Sequence, residues 1–353
     1  MSYYRELGLD REPFSTSPDP AFFFLSEEHK AALYRLQVAI SLKRGLCVLL
    51  GDVGTGKTTL GRKLSQALAA DEQVVLRMIL NPYFATEKQF LSRMANLFHV
   101  KVSSRATALQ IMEAIERFLF RCGVEEGKTV VLLIDEAQIL PDFVFETLRI
   151  LLNYETNEFK MLQLILSGQM ELLPRISSKN NFWDRISLKC MLNPLKESEI
   201  KKMLEFRLRQ AGYTGSTPLF TDEAISQITI HTQGYPRKLA FFCHSCLESL
   251  VMYDRRVVTV DLVKKLIEAE VRQVEEVAAA DPEPASPAQA VPAQEPVHER
   301  QTPDMTPVSS AVHADDIDEQ LAAAMAAIAS VGRAEPPKKT RLERWMEFVG
   351  IPG

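Results

Sequence analysis

Short apolar runs alternate with amphipathic helical patterns through the first 195 residues of the chain. Five of the apolar runs have the length expected of buried strands. They are Leu46–Leu50, Val74–Ile79, Val130–Ile134, Leu162–Leu166 and, less regular than the others, Ile186–Leu192. Helical periodicity lies between most of them, over residues 58–69, 87–98, 108–120 and 142–153. Strands that alternate with helices predict a parallel α/β sheet with helices on both faces.

The pattern changes after Pro194, where the runs typical of strands stop. The following segments all have the period of a helix: 197–210, 222–232, 236–252 and 260–276. We therefore expect an α/β domain over residues 1–195 and a small all-helical domain over residues 196–276.

The composition of the chain shifts near residue 277. Residues 281–307 carry seven prolines among Ala, Gln and Glu. Such a segment buries too little apolar surface to offset the entropy lost on ordering. The sequence therefore predicts a disordered Pro/Ala-rich linker over 277–340 that contains one short helix at 315–331.

A short amphipathic segment, 341–353, follows the predicted linker. Its apolar side chains share one helical face, and basic residues stand at its start. The face consists of Leu342, Trp345, Met346 and Val349. A basic, Trp-bearing helix suits weak contact with a membrane surface or with a partner's groove. Packing against the chain's own core and a frayed terminus are the two alternatives.

Charge and cysteine content narrow the class of protein. The 353 residues include 41 Lys and Arg against 46 Asp and Glu, a formal charge of −5, which argues against coating nucleic acid by bulk charge. Five scattered cysteines indicate reduced thiols, and the Cys243–Cys246 pair has no second pair at the spacing of a zinc site. Neither a signal peptide nor an apolar run of spanning length is evident. We expect a cytoplasmic protein.

Residues 51–58 match the phosphate-loop pattern G-x-x-x-x-G-K-[ST] in full, with a predicted strand before them and a predicted helix after them. Glycines let such a loop turn its backbone N–H groups toward phosphate oxygens. Lys57 is expected to reach the β- and γ-phosphates, and the Thr58 hydroxyl to bind Mg²⁺. The residues expected to bind ATP are Gly51, Asp52, Val53, Gly54, Thr55, Gly56, Lys57, Thr58 and Thr59.

Two acids end the apolar run 130–134, at the edge of an open α/β sheet where ligands bind. Asp135 is expected to hold Mg²⁺ through water, and Glu136 to polarise the attacking water as general base. This pair favours hydrolysis over simple storage of a nucleotide. The strand at 162–166 also ends in polar residues, and both Ser167 and Gln169 are candidates to contact the water and the γ-phosphate.

Two arginines are candidates for contacts with the transferred phosphoryl group. Arg185 lies just before the last predicted strand, a position that faces the neighbouring subunit's nucleotide in ring-forming ATPases, so it is a candidate finger in trans. Arg237 begins a helix of the helical domain, from which it can touch the γ-phosphate. Arg149 is a weaker candidate finger. A surface ion pair is the alternative interpretation of each.

Taken together, these motifs resemble the AAA+ superfamily and, within it, the ExeA/GspA-type ATPases of type II secretion and MSHA-pilus biogenesis. The resemblance covers about residues 3–270. Its further matches are Tyr4, Leu7–Leu9, Pro13–Phe14, Ser17–Pro20, Phe24–Ser26, His29, Ala32–Leu33, Asp135–Gln138, the helix with Leu148, Leu151–Asn153 and Glu155, then Leu166–Gln169, Glu171–Leu172 and Gly234–Arg237.

The resemblance implies a five-stranded parallel sheet followed by a helical lid, with the N-terminal segment beside the adenine. It also implies ATP and Mg as ligands, a homo-oligomeric ring such as a hexamer, and a secretion or pilus assembly protein as partner. Members of the family often continue into a transmembrane helix and a periplasmic domain, and neither is in this sequence. That departure favours a cytoplasmic relative, peripheral at the inner membrane.

The sequence is also compatible with two other functions. A DNA-dependent ATPase of the transposition-helper kind would bind duplex backbone, but the chain is acidic and only about 50 residues precede the phosphate loop. A nucleotide-gated adaptor would bind ATP and rarely hydrolyse it.

Overall fold

The computed structural model describes residues 2–15 and 19–280. The proline-rich segment from residue 281 onward, the helix predicted at 315–331 and the amphipathic segment 341–353 lie outside these residues. All five cysteines lie inside them, and each is a buried free thiol.

A five-stranded sheet, parallel throughout, forms the centre of the fold. Its strands are β1 (Leu46–Gly51), β2 (Val74–Ile79), β3 (Thr129–Ile134), β4 (Leu162–Gly168) and β5 (Ile186–Leu192), in the spatial order β2-β3-β4-β1-β5. The three inner strands are buried almost completely, as their continuous apolar runs require. The predicted fold class, including the five strands, is confirmed.

Helices connect the strands and then follow the last of them. Those up to β5 are α1 (Tyr3–Glu6), a 3₁₀ turn (Pro20–Phe22), α2 (Glu27–Ser41), α3 (Lys57–Ala69), α4 (Glu87–Leu97), α5 (Ala108–Phe120), a π turn (Arg121–Glu125), a second 3₁₀ turn (Ala137–Ile139), α6 (Asp142–Leu151), α7 (Leu172–Ser177) and α8 (Asn180–Trp183). Beyond β5 lie α9 (Glu197–Gln210), α10 (Asp222–Thr232), α11 (Pro236–Met252) and α12 (Val260–Ala280).

Local sequence explains where several helices begin. Ser26, Thr86, Thr107 and Thr221 precede α2, α4, α5 and α10, and each hydroxyl accepts a hydrogen bond from a backbone N–H of the first turn. Pro236 occupies the first turn of α11, where its missing N–H is not needed. These signals are local, and the sequence pattern places α3–α6 and α9–α12 to within a few residues. The predicted helices do not include α2, which lies before the first predicted strand.

The differences from the sequence pattern have physical reasons. The helices α7 and α8 contain six and four residues, fewer than two turns, so no apolar periodicity reveals them. Strand β4 continues to Gly168, two residues past the predicted run, so Ser167 belongs to the strand. The last helix runs to Ala280 rather than ending at residue 276.

Two hydrophobic clusters hold the described part together. One surrounds the sheet and includes Leu132, Leu164 and Phe145. The other lies among α9–α12, and it also contains Leu9, Phe14 and Phe22 from the N-terminal segment. The first residues of the chain therefore pack with the helices that follow the sheet.

A glycine fixes the start of α11. Gly234 has φ +75° and its carbonyl accepts a hydrogen bond from Leu195 N at 2.9 Å. A Cβ on Gly234 would lie 2.2 Å from the Leu195 carbonyl oxygen, so no other residue fits without movement of the backbone. This contact joins the end of the sheet region to the helix that carries Arg237. In the part of the chain that the structure describes, no helix has the length and apolarity needed to span a membrane.

Candidate functional site

A cleft of about 280 Å³ opens at the carboxyl end of β1, where the chain turns into α3. Four parts of the chain line it. They are the phosphate loop with Val53, Gly54, Gly56, Lys57, Thr58 and Thr59, the strand ends with Glu136 and Gln169, the N-terminal segment with Ser15, Asp19 and Phe23, and the helical region with Arg207, Pro236, Arg237 and Ala240. Ligands of α/β sheets bind at this edge.

The phosphate loop turns at two glycines whose backbone is left-handed. Gly54 has φ +82° and Gly56 has φ +96°. A Cβ on Gly54 would lie 2.9 Å from Arg237 Cβ, and one on Gly56 would lie 3.0 Å from both His29 Nε2 and a Phe23 ring carbon. The loop therefore needs glycine for its conformation and also for its close neighbours.

Lys57 lies folded against its own loop. Its ammonium group donates to the carbonyl oxygens of Gly51 at 2.7 Å and Asp52 at 2.9 Å, and the residue is 6% exposed. Burial lowers the pKa of Lys57, while the carboxylates of Glu136 and Asp135 act in the opposite direction. A cation held at the cleft wall by neutral carbonyls is suited to turn toward an anionic phosphate.

Asp135 is fixed by two hydroxyl groups and is only 2% exposed. Thr58 Oγ1 donates to one carboxylate oxygen at 2.5 Å, and Ser167 Oγ donates to the other at 2.7 Å. A carboxylate beside a hydroxyl provides the hard oxygen ligands that Mg²⁺ prefers, so these residues fit the predicted metal. Of the two polar candidates at the end of β4, Ser167 is the one that contacts Asp135.

Glu136 belongs to a second hydrogen-bonded group. Gln138 Nε2 donates to its carboxylate at 2.6 Å, and Gln169 Nε2 lies 3.4 Å from the same oxygen. Gln138 Oε1 in turn accepts from Gln169 N at 3.1 Å, so the two glutamines hold each other. Glu136 has φ +51°, an uncommon conformation for a non-glycine residue that often marks a functional position. Sequence reasoning assigned no role to Gln138, although it lies within the matched segment Asp135–Gln138.

The three candidate arginines lie in different places. Arg237 lines the cleft against the phosphate loop. Arg185 is not part of the cleft lining in its own chain, and its Nε donates to the Asn181 carbonyl at 3.1 Å. Arg149 pairs with Glu146 at 2.9 Å. Next to Arg237, the Tyr235 hydroxyl donates to Asp52 Oδ2 at 2.8 Å and joins the helical region to the phosphate loop.

His29 is a further contact that sequence reasoning did not assign a role. The residue is 1% exposed, its Nε2 lies 2.8 Å from the Thr55 carbonyl oxygen, and its Nδ1 lies 2.6 Å from Ser26 Oγ. Ser26 Oγ also accepts from His29 N. A neutral ring that donates from Nε2 and accepts at Nδ1 satisfies all three contacts. Burial lowers the pKa of His29, which favours this neutral form.

Comparisons with known proteins find an AAA domain and a secretion protein among the relatives of this chain. The model of the AAA domain family matches residues 41–176. General secretion pathway protein A of Aeromonas hydrophila is 34% identical over 247 residues, which cover 69% of this chain. The aligned part spans less than half of that relative's length, 44%.

Solved structures share the fold at lower identity. Drosophila ORC bound to DNA has a TM-score of 0.57 with 21% identity, over 78% of this chain and 68% of that one. The Aeropyrum pernix ORC2 protein, described as ADPNP-ADP complexes, has a TM-score of 0.53 with 18% identity, over 73% and 71%. Both support the α/β nucleotide-binding fold.

The burial of His29 predicts a pH dependence of stability. A histidine whose pKa is lowered in the folded state takes up its proton first in the unfolded chain, so folding loses stability as pH falls below about 6.5. His29→Gln should remove this contribution, which is at most about 1.4 kcal/mol per pH unit. The measurement is the free energy of unfolding in urea at pH 7, 6 and 5.

The exposed His99 supplies the matched control. His99→Gln should keep the pH dependence of the wild type, since a constant cost of the substitution does not alter the slope. A His29→Gln variant that loses stability with falling pH as steeply as the wild type would contradict the buried neutral ring.

Proposed function

This chain belongs to the AAA ATPases of the ExeA/GspA type, and from that premise we propose that it binds ATP with Mg²⁺ and hydrolyses it to assemble or regulate a bacterial envelope secretion or pilus machine. One observation carries the proposal. The Asp135–Glu136 pair lies against the phosphate loop, with Asp135 bonded to Thr58 and Glu136 at the wall of the same cleft.

In this proposal the phosphate loop holds the triphosphate. The amides of the glycine turn and of the first turn of α3 bind phosphate oxygens, and Lys57 leaves its carbonyl partners to neutralise the β- and γ-phosphates. Arg237 supplies a second cation from the helical region. Thr58 and Asp135 would hold Mg²⁺, which would supply further neutralisation of charge on the phosphates.

Glu136 is the proposed general base. Its carboxylate accepts a proton from the attacking water, and the amides of Gln138 and Gln169 keep the carboxylate in one orientation. Gln169 is thus the residue at the end of β4 that supports the base, and Ser167 supports the metal ligand. This division assigns distinct roles to the two candidates that the sequence could not separate.

Arg185 is proposed to act in a neighbouring subunit. Its absence from the lining of its own cleft is what a finger supplied in trans requires. The assembly is then a homo-oligomeric ring, such as a hexamer, in which each cleft is completed by the next subunit. Arg149 is less suitable, because Glu146 already neutralises it.

The machine that this ATPase serves is proposed from its relative. General secretion pathway protein A is the curated protein at 34% identity, and its name places it in secretion. We therefore propose an envelope secretion or pilus assembly protein as partner and a location at the cytoplasmic side of the inner membrane. Weak contact of the segment 341–353 with the membrane surface would help to keep the protein there.

Substitutions in the cleft test the chemistry. Lys57→Ala should weaken ATP binding about 10- to 100-fold, because a charged hydrogen-bond donor to phosphate is lost. Glu136→Gln should bind ATP normally and lower turnover by about 10²- to 10⁴-fold, because it loses only the base. Calorimetry measures binding, and phosphate release measures turnover.

Lys63→Ala, on the same helix and outside the cleft lining, is the control and should match the wild type. Turnover by Glu136→Gln at the wild-type rate would show that Glu136 is not the general base. A wild-type protein that binds ATP without turnover would instead support an adaptor.

A mixing experiment tests the finger in trans. Arg185→Ala should bind ATP normally and hydrolyse it about 10³-fold more slowly. Adding Lys57→Ala subunits should restore part of the activity, because they contribute Arg185 to intact neighbouring clefts. Arg149→Ala is the comparison and should keep its activity. Wild-type activity per subunit that does not change on wide dilution would contradict any contribution between subunits.

A cellular experiment tests the machine. Cells in which Glu136→Gln replaces the wild-type allele should accumulate the protein at normal levels and lose secretion or pilus assembly. The purified wild type should show no stimulation by duplex DNA at low salt. Unaffected secretion and pili together with salt-sensitive stimulation by DNA would favour the transposition-helper type.

A further inference from the structure

Arg207 is a cation in the cleft that neither the phosphate loop nor the proposed chemistry uses. It lies on α9, near the end of that helix, and lines the cleft together with residues of the N-terminal segment. Its Nε atom is buried and has no hydrogen-bond partner, and its Nη1 reaches the Pro13 carbonyl oxygen only at 3.5 Å. Buried donors are almost always satisfied, so this one requires an explanation.

The charge of Arg207 also requires an explanation. Burial lowers the pKa of its guanidinium, yet an arginine in a protein stays protonated. Among the described residues, no carboxylate forms an ion pair with it. Arg209, two residues later on the same helix, is 78% exposed and lies 4.0 Å from Glu205. A fold that only needed to pack α9 would place an apolar side chain at position 207, since burying an unpaired charge is unfavourable.

The surroundings of Arg207 indicate which part of a nucleotide it meets. The helix α9 packs against the 3₁₀ turn Pro20–Phe22, and Phe206 contacts Phe24 at 6.0 Å between ring centroids. This wall of the cleft is built by the N-terminal segment. The phosphate end is occupied by the loop, with Lys57 and Arg237 as its cations. The base and ribose of a nucleotide seated on the loop would extend toward the wall with Arg207.

We propose that Arg207 binds the nucleoside half of the nucleotide, with its planar guanidinium donating to base or ribose acceptors and lying against the purine face. This inference rests on the proposed function, since it uses the same cleft. A guanidinium suits such a contact because it is flat, weakly hydrated and rich in donors. The Pro13 carbonyl steers the group, and the nucleotide supplies the acceptor that Nε lacks. Nucleotide occupancy is thereby linked to α9 and to the N-terminal segment.

Calorimetry on the full chain tests this assignment with three probes in the same magnesium buffer: ATP, ADP and inorganic tripolyphosphate. Arg207→Met keeps a long side chain and removes every donor. This variant should weaken the binding of ATP and of ADP about 10- to 100-fold and leave the binding of tripolyphosphate unchanged. Arg207→Lys should recover only a small part of the loss, because it keeps the charge without the planar group. Arg209→Met is the matched control and should bind all three probes as the wild type does.

Thermal unfolding without nucleotide separates binding from folding. Removal of a partly buried cation with no ion pair among the described residues should leave the midpoint of Arg207→Met equal to or above that of the wild type, while the upward shift caused by ATP shrinks. A strong drop of the midpoint without nucleotide would show a structural role and overturn the proposal. Three calorimetric results would overturn it too. They are an equal loss of tripolyphosphate binding in Arg207→Met, an ATP affinity of Arg207→Met that equals the wild type, and an ATP affinity of Arg207→Lys that is fully restored. If the wild type itself fails to bind ATP, the proposed function fails rather than this inference alone.

Discussion

The turn from β1 into α3 is the constraint on which the rest of the cleft depends. Its backbone must take a left-handed conformation at Gly54 and Gly56. At the same two residues, side chains from separate parts of the chain approach so closely that a Cβ would collide with them. The loop conformation is therefore enforced by packing as well as by the freedom of glycine. A phosphate site that is rigid before its ligand arrives loses less entropy on binding.

Two hydrogen-bonded groups at the strand ends divide the acidic chemistry of the cleft. Each carboxylate oxygen of Asp135 accepts a hydrogen bond from a hydroxyl group and the residue is almost fully buried, which suits a ligand for a metal ion. Glu136 is held by amide donors and reaches the cleft wall, which suits a base that must accept a proton. The side chains of these adjacent residues meet different neighbours, and this difference is the basis of the different roles proposed for them.

Much of the fold and the position of the phosphate loop could be predicted from sequence, because both depend on local patterns. The strands are continuous apolar runs, and the phosphate loop is a contiguous motif between a strand and a helix. The sequence patterns assign no function to His29 or Arg207, because the contacts of these residues are not local in the sequence. Each contacts a backbone carbonyl far along the chain, that of Thr55 or Pro13, and a carbonyl has no residue-type signature. The packing of Phe14 among later helices likewise depends on tertiary contacts alone.

The N-terminal segment links the helical hydrophobic cluster to the cleft. Leu9 and Phe14 lie in the helical cluster, whereas Phe23 and His29 touch the phosphate loop a few residues later. The helical region is also tied to the loop by the hydrogen bond between Tyr235 and Asp52. Tyr235 and Arg237 stand two residues apart at the start of α11, so a shift of this helix start moves both residues together. In the proposed function, the contact of Arg237 with the phosphates and the contact of Tyr235 with the loop are made from one helix start, which would couple the helical region to the bound nucleotide.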